Sequence, residues 1–383
     1  MNLIVRLANF GTCVFSMAWA VAVQATFPGI PDAPKLAATA YVLVDYQSGA
    51  ILAEHESDLR VEPASLTKIL TVYTVADALK KGLIKTDDQT VISEYAWKQE
   101  GSRMFLEVNK SASVDELLHG DIIQSGNDAS VALAEHVSGT EEVFAAVMNG
   151  HAARLGMKDS KFENSTGLPN PDNYTTAGDL GVLARALIGN FPEIYAIFSE
   201  PAYTYNGITQ QNRNGLLRRD PTVDGMKTGH TEAAGYCLVA SAMRDGMRLI
   251  SVVMGAKSDA SRTQASQALL NYGFRFFESK LLYASGAKVT ETQVWKGAER
   301  QVDIGVTDAV STTIPRGKPG AVKTSAELRH PLIAPLAVGQ VVGALVVSFE
   351  GKEIARTPLV VQHAVAEGAW WRRLFDTAAL YFE

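Results

Sequence analysis

The stretch from Ser65 to Lys81 is almost uniformly apolar or small, and Gly82 stops it. A helix of that composition has no polar face and must be covered on every side. The rest of the chain has to supply those layers, and 383 residues suffice for about two domains at ~100–200 residues each. Strands lie on both sides of the helical region. Residues 39–54 read as a hairpin, with Tyr41–Asp45 and Ala50–Ala53 joined through Ser48-Gly49. A second hairpin joins Tyr236–Ala242 to Met247–Met254 through Arg244-Asp245-Gly246. Between them, Ser113 and Glu116 form a capping box for a helix over Val114–Gln124. Helical patterns follow at Ala129–Val137 and Thr140–Leu155, and Ser261–Tyr272 closes the domain. This order predicts an α/β class, more strictly α+β: an antiparallel sheet drawn from both ends of the domain, flanked by helices.

The texture changes near residue 284. Short alternating strands such as Gln301–Val306 and Gln340–Phe349, broken by Pro315, Pro319-Gly320, Pro331 and Pro335, predict a small all-β domain over 284–365. Residues 366–383 read as an amphipathic helix. Trp370, Trp371, Leu374, Phe375, Ala378, Tyr381 and Phe382 share one face, while Arg372, Arg373, Asp376, Thr377 and Glu383 take the other. Leu380 is the misfit, and Gly368 reads as a hinge before the helix. Paired tryptophans beside paired arginines suit a helix lying in a lipid headgroup layer; the alternative is packing on the protein's own core.

Arg6, an uncharged run from Leu7 up to Asp32 and the exit Val23-Gln24-Ala25 describe a secretory signal peptide over 1–25, with an uncleaved anchor as the alternative. Cleavage removes Cys13 and leaves Cys237, in the apolar run Tyr236–Ala240, as a buried strand residue. No basic partner lies beside it to make a catalytic thiol. The 35 basic and 41 acidic side chains give a net charge of −6, which argues against a nucleic-acid partner.

The chain has no Gly-x-Ser-x-Gly elbow, no His-Glu-x-x-His, no Cys-x-x-Cys and no phosphate-cradling glycine loop. It does have Ser65-Leu66-Thr67-Lys68 at the start of the central helix. A lysine three residues after a serine shares its helical face and can take its proton, provided burial and a nearby cation depress the lysine pKa. A helix N-terminus also leaves backbone N–H groups free for an oxyanion. Ser285-Gly286-Ala287-Lys288 repeats the pattern in an expected turn and is read as chance. Ser125-Gly126-Asn127 stands at a helix-to-helix junction, and Lys227-Thr228-Gly229 opens the second hairpin, where glycine lets a ligand approach a strand edge.

Ser-x-x-Lys, Ser-x-Asn and Lys-Thr-Gly in this order resemble the penicillin-binding proteins and serine β-lactamases. The stretches Pro63–Thr71, Ser125–Ala129 and Asp224–Thr231 are similar to the low-molecular-mass D-alanyl-D-alanine carboxypeptidases. The likeness extends through Gly273–Glu278 and the β domain to the tail. It implies the penicillin-binding transpeptidase-like fold, with a catalytic domain over 26–283. It also implies that Ser65 attacks the D-Ala-D-Ala peptide of peptidoglycan pentapeptides, that Lys68 takes its proton, and that Ser125 relays a proton to the leaving amine. Asn127 would hold the substrate amide, and Lys227 would help keep Lys68 neutral. The backbone N–H groups of Ser65 and His230 would form the oxyanion hole, and the strand beyond Gly229 would pair with the peptide. Thr228 with Arg262 would bind the terminal carboxylate. No metal or organic cofactor is implied, β-lactams are implied as covalent ligands, and the expected location is the periplasmic face of a bacterial inner membrane.

Three alternatives remain at this point. A β-lactamase of the same fold would want a deacylating glutamate, and the loop Thr166–Thr176 has none. A non-catalytic wall-binding module would have lost Ser65, Lys68 or Lys227, and all three are present. A transpeptidase would share the acyl-enzyme and differ in its acceptor.

Overall fold

A computed structural model describes residues 30–381; the expected signal peptide lies outside the described residues, as do Phe382 and Glu383. The chain divides into two compact units. One holds residues up to Lys280 together with Ser311–Pro319, and the other holds Leu281–Val310 and the chain from Gly320 onward.

In the first unit, β1 (Ala40–Asp45) and β2 (Ile51–His55) precede a helical region whose longer helices are α1 (Lys68–Lys80), α2 (Val114–His119), α3 (Asn127–Ser138), α4 (Glu141–Leu155) and α5 (Ala177–Asn190). Then come β3 (Val223–Thr231), β4 (Gly235–Arg244), β5 (Met247–Ala256) and α6 (Asp259–Phe276). The antiparallel sheet runs in the order β2-β1-β5-β4-β3, so strands from both ends of the unit meet at β1 and β5. Alternate side chains serve opposite layers, as the period of a strand requires. Leu43, Leu238 and Leu249 pack with Leu269, Leu270 and Phe274 of α6. Val42, Val239 and Val252 join the core around α1, with Leu180 and Leu183 of α5.

α1 is central, as its composition requires: every residue from Lys68 to Ala76 is buried. Four of its fully buried side chains, Ile69, Leu70, Val72 and Val75, and Leu66 in the turn before it, contribute about 2 kcal/mol each. That sum outweighs the several kcal/mol of desolvation at Lys68. The expected start at Ser65 is instead a 3-10 turn, Ala64–Thr67, directly after Pro63. The helix ends at Gly82, whose φ of +68° suits glycine.

The capping box of Ser113 and Glu116 is present, but the helix it opens is α-helical only to His119. Gly120–Gln124 is a π turn, and Ser125 leaves it in the left-handed conformation, φ 67° and ψ 36°. Lys227-Thr228-Gly229 does not open the β4–β5 hairpin; it lies inside β3, the edge strand paired to β4. Cys237 is a free, buried β4 residue, and Ser285 lies in a turn.

The second unit contains β6 (Lys288–Trp295), β7 (Gln301–Gly305), β8 (Val322–Leu328), β9 (Leu332–Ile333), β10 (Val341–Phe349) and β11 (Lys352–Val361). They form one sheet in the order β8-β10-β11-β7-β6-β9. The tail helix α7 (Trp370–Leu380) attaches to this unit by its polar side. Asp376 accepts from the Lys296 N–H at 2.5 Å, and Arg372 donates to the Ala298 carbonyl at 3.0 Å. Trp370, Trp371, Leu374 and Phe375 are exposed, which overturns packing on the protein's own core. Gly368 is no hinge: it is buried, and its N–H bonds Lys296 O at 2.8 Å. No single described helix is long and apolar enough to cross a membrane.

Candidate active site

Ser65 is half-buried, on a turn whose preceding residue, Ala64, is buried with φ 46°. That conformation costs a residue bearing a Cβ roughly 1–2 kcal/mol, and it is held by packing on two sides. Gly167, at φ +77°, lies where a Cβ would overlap the Ala64 carbonyl oxygen. On β3, a Cβ at Gly229 would stand 3.2 Å from Ala64 Cβ and 3.3 Å from the Leu66 nitrogen. Glycine at both positions lets two backbones close on the serine turn.

Lys68 is fully buried. Its Nζ donates to Asn127 Oδ1 at 2.7 Å and to the Thr166 carbonyl at 2.6 Å, with Ser65 Oγ at 3.4 Å. A neutral amine has two N–H bonds and one lone pair. With both hydrogens committed to carbonyl oxygens, the lone pair is left for the serine hydroxyl. Burial pushes the Lys68 pKa down to about 8, and Arg213 pushes the same way against Asp121, Asp128 and Glu141. Lys227, also buried, is pushed well below the ordinary lysine value by burial and by the Lys68 ammonium. Two ammonium groups in one dry site titrate as a pair.

Asn127 is gripped from the other side: its Nδ2 donates to Glu100 O at 2.6 Å and its N–H to Ser102 O at 2.7 Å. The neighbouring Asp128 accepts from the Met104 and Leu106 N–H groups at 2.9 and 3.1 Å. One loop, 98–106, is thus bonded to the start of α3. Ser125 Oγ is buried without a hydrogen-bond partner. Thr228 is buried on β3, whereas His230 is exposed and its ring lies 4.1 Å from that of Tyr236. Arg262, buried on α6, donates to Gly229 O at 2.9 Å and Cys237 O at 3.2 Å. It sits against the Lys-Thr-Gly strand through backbone carbonyls.

The structure therefore joins Ser65, Lys68 and Asn127 by hydrogen bonds, and couples Lys227 to Lys68 by charge. Sequence reasoning missed Thr166, Arg213, Asp121 and the loop-holding role of Asp128. Asp128 directly follows the Ser-x-Asn motif, a position that could have flagged it; the other three carry no local signal.

A family model for D-alanyl-D-alanine carboxypeptidase matches residues 28–258. The chain belongs to this family. A second model, penicillin-binding protein 5, C-terminal domain, matches residues 277–367. D-alanyl-D-alanine carboxypeptidase DacC of Escherichia coli is 45% identical over 359 residues, covering 92% of this chain and 90% of that one. The crystal structure of penicillin binding protein 5 from Haemophilus influenzae superposes with a TM-score of 0.84 at 44% identity, covering 88% of this chain and all of that one. Penicillin-binding protein D2 from Listeria monocytogenes, solved in an ampicillin-bound form, matches with a TM-score of 0.59 at 29% identity, over 64% of this chain and all of that one. This carboxypeptidase is a serine-type enzyme of the penicillin-binding fold, and the C-terminal β domain is part of the family pattern.

Proposed function

We propose that the enzyme removes the terminal D-alanine from peptidoglycan pentapeptides through an acyl-enzyme on Ser65. Lys68 Nζ takes the hydroxyl proton as Ser65 Oγ adds to the carbonyl of the D-Ala-D-Ala bond. The oxyanion lies toward the backbone N–H groups of Ser65 and His230. Ser125 passes a proton to the leaving nitrogen, D-alanine departs, and water hydrolyses the ester. Asn127 and the edge of β3 hold the peptide, while Thr228 and Arg262 supply hydroxyl and charge for the terminal carboxylate. The observation that carries this reading is the buried Lys68 amine, with its N–H bonds held by Asn127 and Thr166 and Ser65 Oγ beside it.

The test is intact-mass spectrometry with benzylpenicillin, followed over time. A lasting adduct of one penicillin on the Ser65 peptide, absent in Ser65→Ala, is the expected result. Deacylation is expected to be slow because the Thr166–Thr176 loop carries no glutamate, and Glu163, just before it, is paired with Lys161 at 2.7 Å. Rapid hydrolysis without an adduct would move the assignment to a β-lactamase, and no reaction by folded protein to a binding module.

We further propose that α7 holds the enzyme at the periplasmic face of the inner membrane; the reading is supported by its exposed apolar face and by its polar side being bonded to the β domain. Deleting 369–383 is expected to release the enzyme from membrane pellets with peptide hydrolysis intact. A truncated protein that still pellets would refute the anchor.

A further inference from the structure

The π turn Gly120–Gln124 carries a charged residue for which the reaction above has no task. Asp121 is fully buried one turn before Ser125. Its Oδ1 accepts the Ser130 hydroxyl, and its Oδ2 is buried without a hydrogen-bond partner. The one Ser130 hydroxyl proton has two acceptors within reach, Asp121 Oδ1 and Gly126 O at 2.9 Å, so Asp121 has at most that single donor. A single neutral hydrogen bond does not balance a buried carboxylate. The compensation has to come from the cations that share this interior, Lys68 on α1 and Lys227 on β3.

We propose that Asp121 is a positioning residue of the active site: the internal counter-anion that keeps a proton on the Lys68–Lys227 pair and so sets the pH at which the serine becomes reactive. This rests on the assignment of Lys68 as base. Arg213 adds to the positive excess around the pair, and Arg262 adds to it at Lys227. The strongest charges acting on Asp121 are Lys68, Lys227 and Asp128. Asp128 is itself committed to the 98–106 loop. The other elements packed on the π turn carry Asp115, Glu116 and His119 on α2, and Tyr203 and Tyr205 on the strand Ala202–Tyr205. Burial pushes the Asp121 carboxyl up to about 6 even against both lysines. While the lysines are charged, they pull the carboxyl toward its ionised form.

The sign follows directly. An anion holds protons on nearby amines, so removing it makes Lys68 neutral at lower pH. Asp121→Asn keeps the shape and an acceptor for Ser130. In this variant the acid limb of the pH profile for Ser65 acylation by benzylpenicillin is expected to move down by about one to two pH units, the range that Coulomb's law gives for loss of a charge at ~6–12 Å and an effective dielectric of ~20. A limb that stays in place or moves up would overturn the proposal. Should Asp121→Asn fail to fold, Ser130→Ala carries the test. Losing the Ser130 bond raises the Asp121 carboxyl, so the limb is expected to move the same way by less, and an unchanged limb would again overturn the proposal. Absence of any Ser65 adduct in the unmodified enzyme would instead break the reading on which this one rests.

Discussion

Replacing Lys68 with Arg is expected to slow acylation of Ser65 by benzylpenicillin by about a thousandfold at pH 8, within the range of a lost general base. Arginine keeps the positive charge and can still donate to Asn127 Oδ1 and Thr166 O. It cannot give up a proton at any relevant pH. If Lys68 served only as a charge, the arginine variant would keep most of its rate. Because Lys68 has no exposed surface, the larger guanidinium also strains the core, and Lys68→Met separates the two effects. Methionine fits a buried site of this length, and the same loss is expected there with a melting temperature near that of the parent. Stopped-flow labelling of both variants decides the matter: an arginine enzyme with a tenth of the parent rate would end the base assignment.

Gly167→Ala is expected to cost about 2–4 kcal/mol of stability, the range for a strained or overpacked backbone position. It should also slow acylation at least tenfold. Two costs coincide there: a φ of +77° and a Cβ that would overlap the Ala64 carbonyl oxygen. Either the serine turn moves or the 166–167 backbone does, and the latter carries the Thr166 carbonyl that holds Lys68. Gly82→Ala is the control. Its φ is +68°, but nothing lies within reach of the added Cβ. It is expected to lose only ~1 kcal/mol and to keep its acylation rate. Urea titrations read alongside acylation rates settle the point, since equal effects at the two glycines would remove the special role of Gly167.

What the sequence made legible follows physical periodicity. A helix without a polar face had to be central, and α1 is buried from Lys68 to Ala76. Alternation marked the β4–β5 hairpin, and Ser113 with Glu116 marked the start of α2. The three motifs were visible because catalysis restricts side-chain type. The π turn was not visible, because the apolar positions of Val114–Gln124 suit i+4 and i+5 hydrogen bonding alike. Thr166 acts on Lys68 through its carbonyl, which every residue possesses. Arg213 and Asp121 act through space from segments far from Lys68 in the chain, so no local pattern announces them. Gly368 misled for a related reason: glycine marks a freely turning position or a tight approach, and here the N–H bond to Lys296 O decides for the second.

The burial of α1 has a consequence for how such an enzyme can change over generations. A substitution between Lys68 and Ala76 alters core volume before it alters chemistry, and most such changes cost more stability than a marginal fold can spare. Drift is closed along this helix. The exposed positions of the neighbouring loops, Glu100 and Phe105 in 98–106 and Pro169 and Asp172 in 168–172, carry no such constraint, although Met104 and Leu106 in the first loop are core. A lineage adapting to a new wall chemistry or a new inhibitor would record that history in those two loops, leaving the serine and lysine beneath them unchanged.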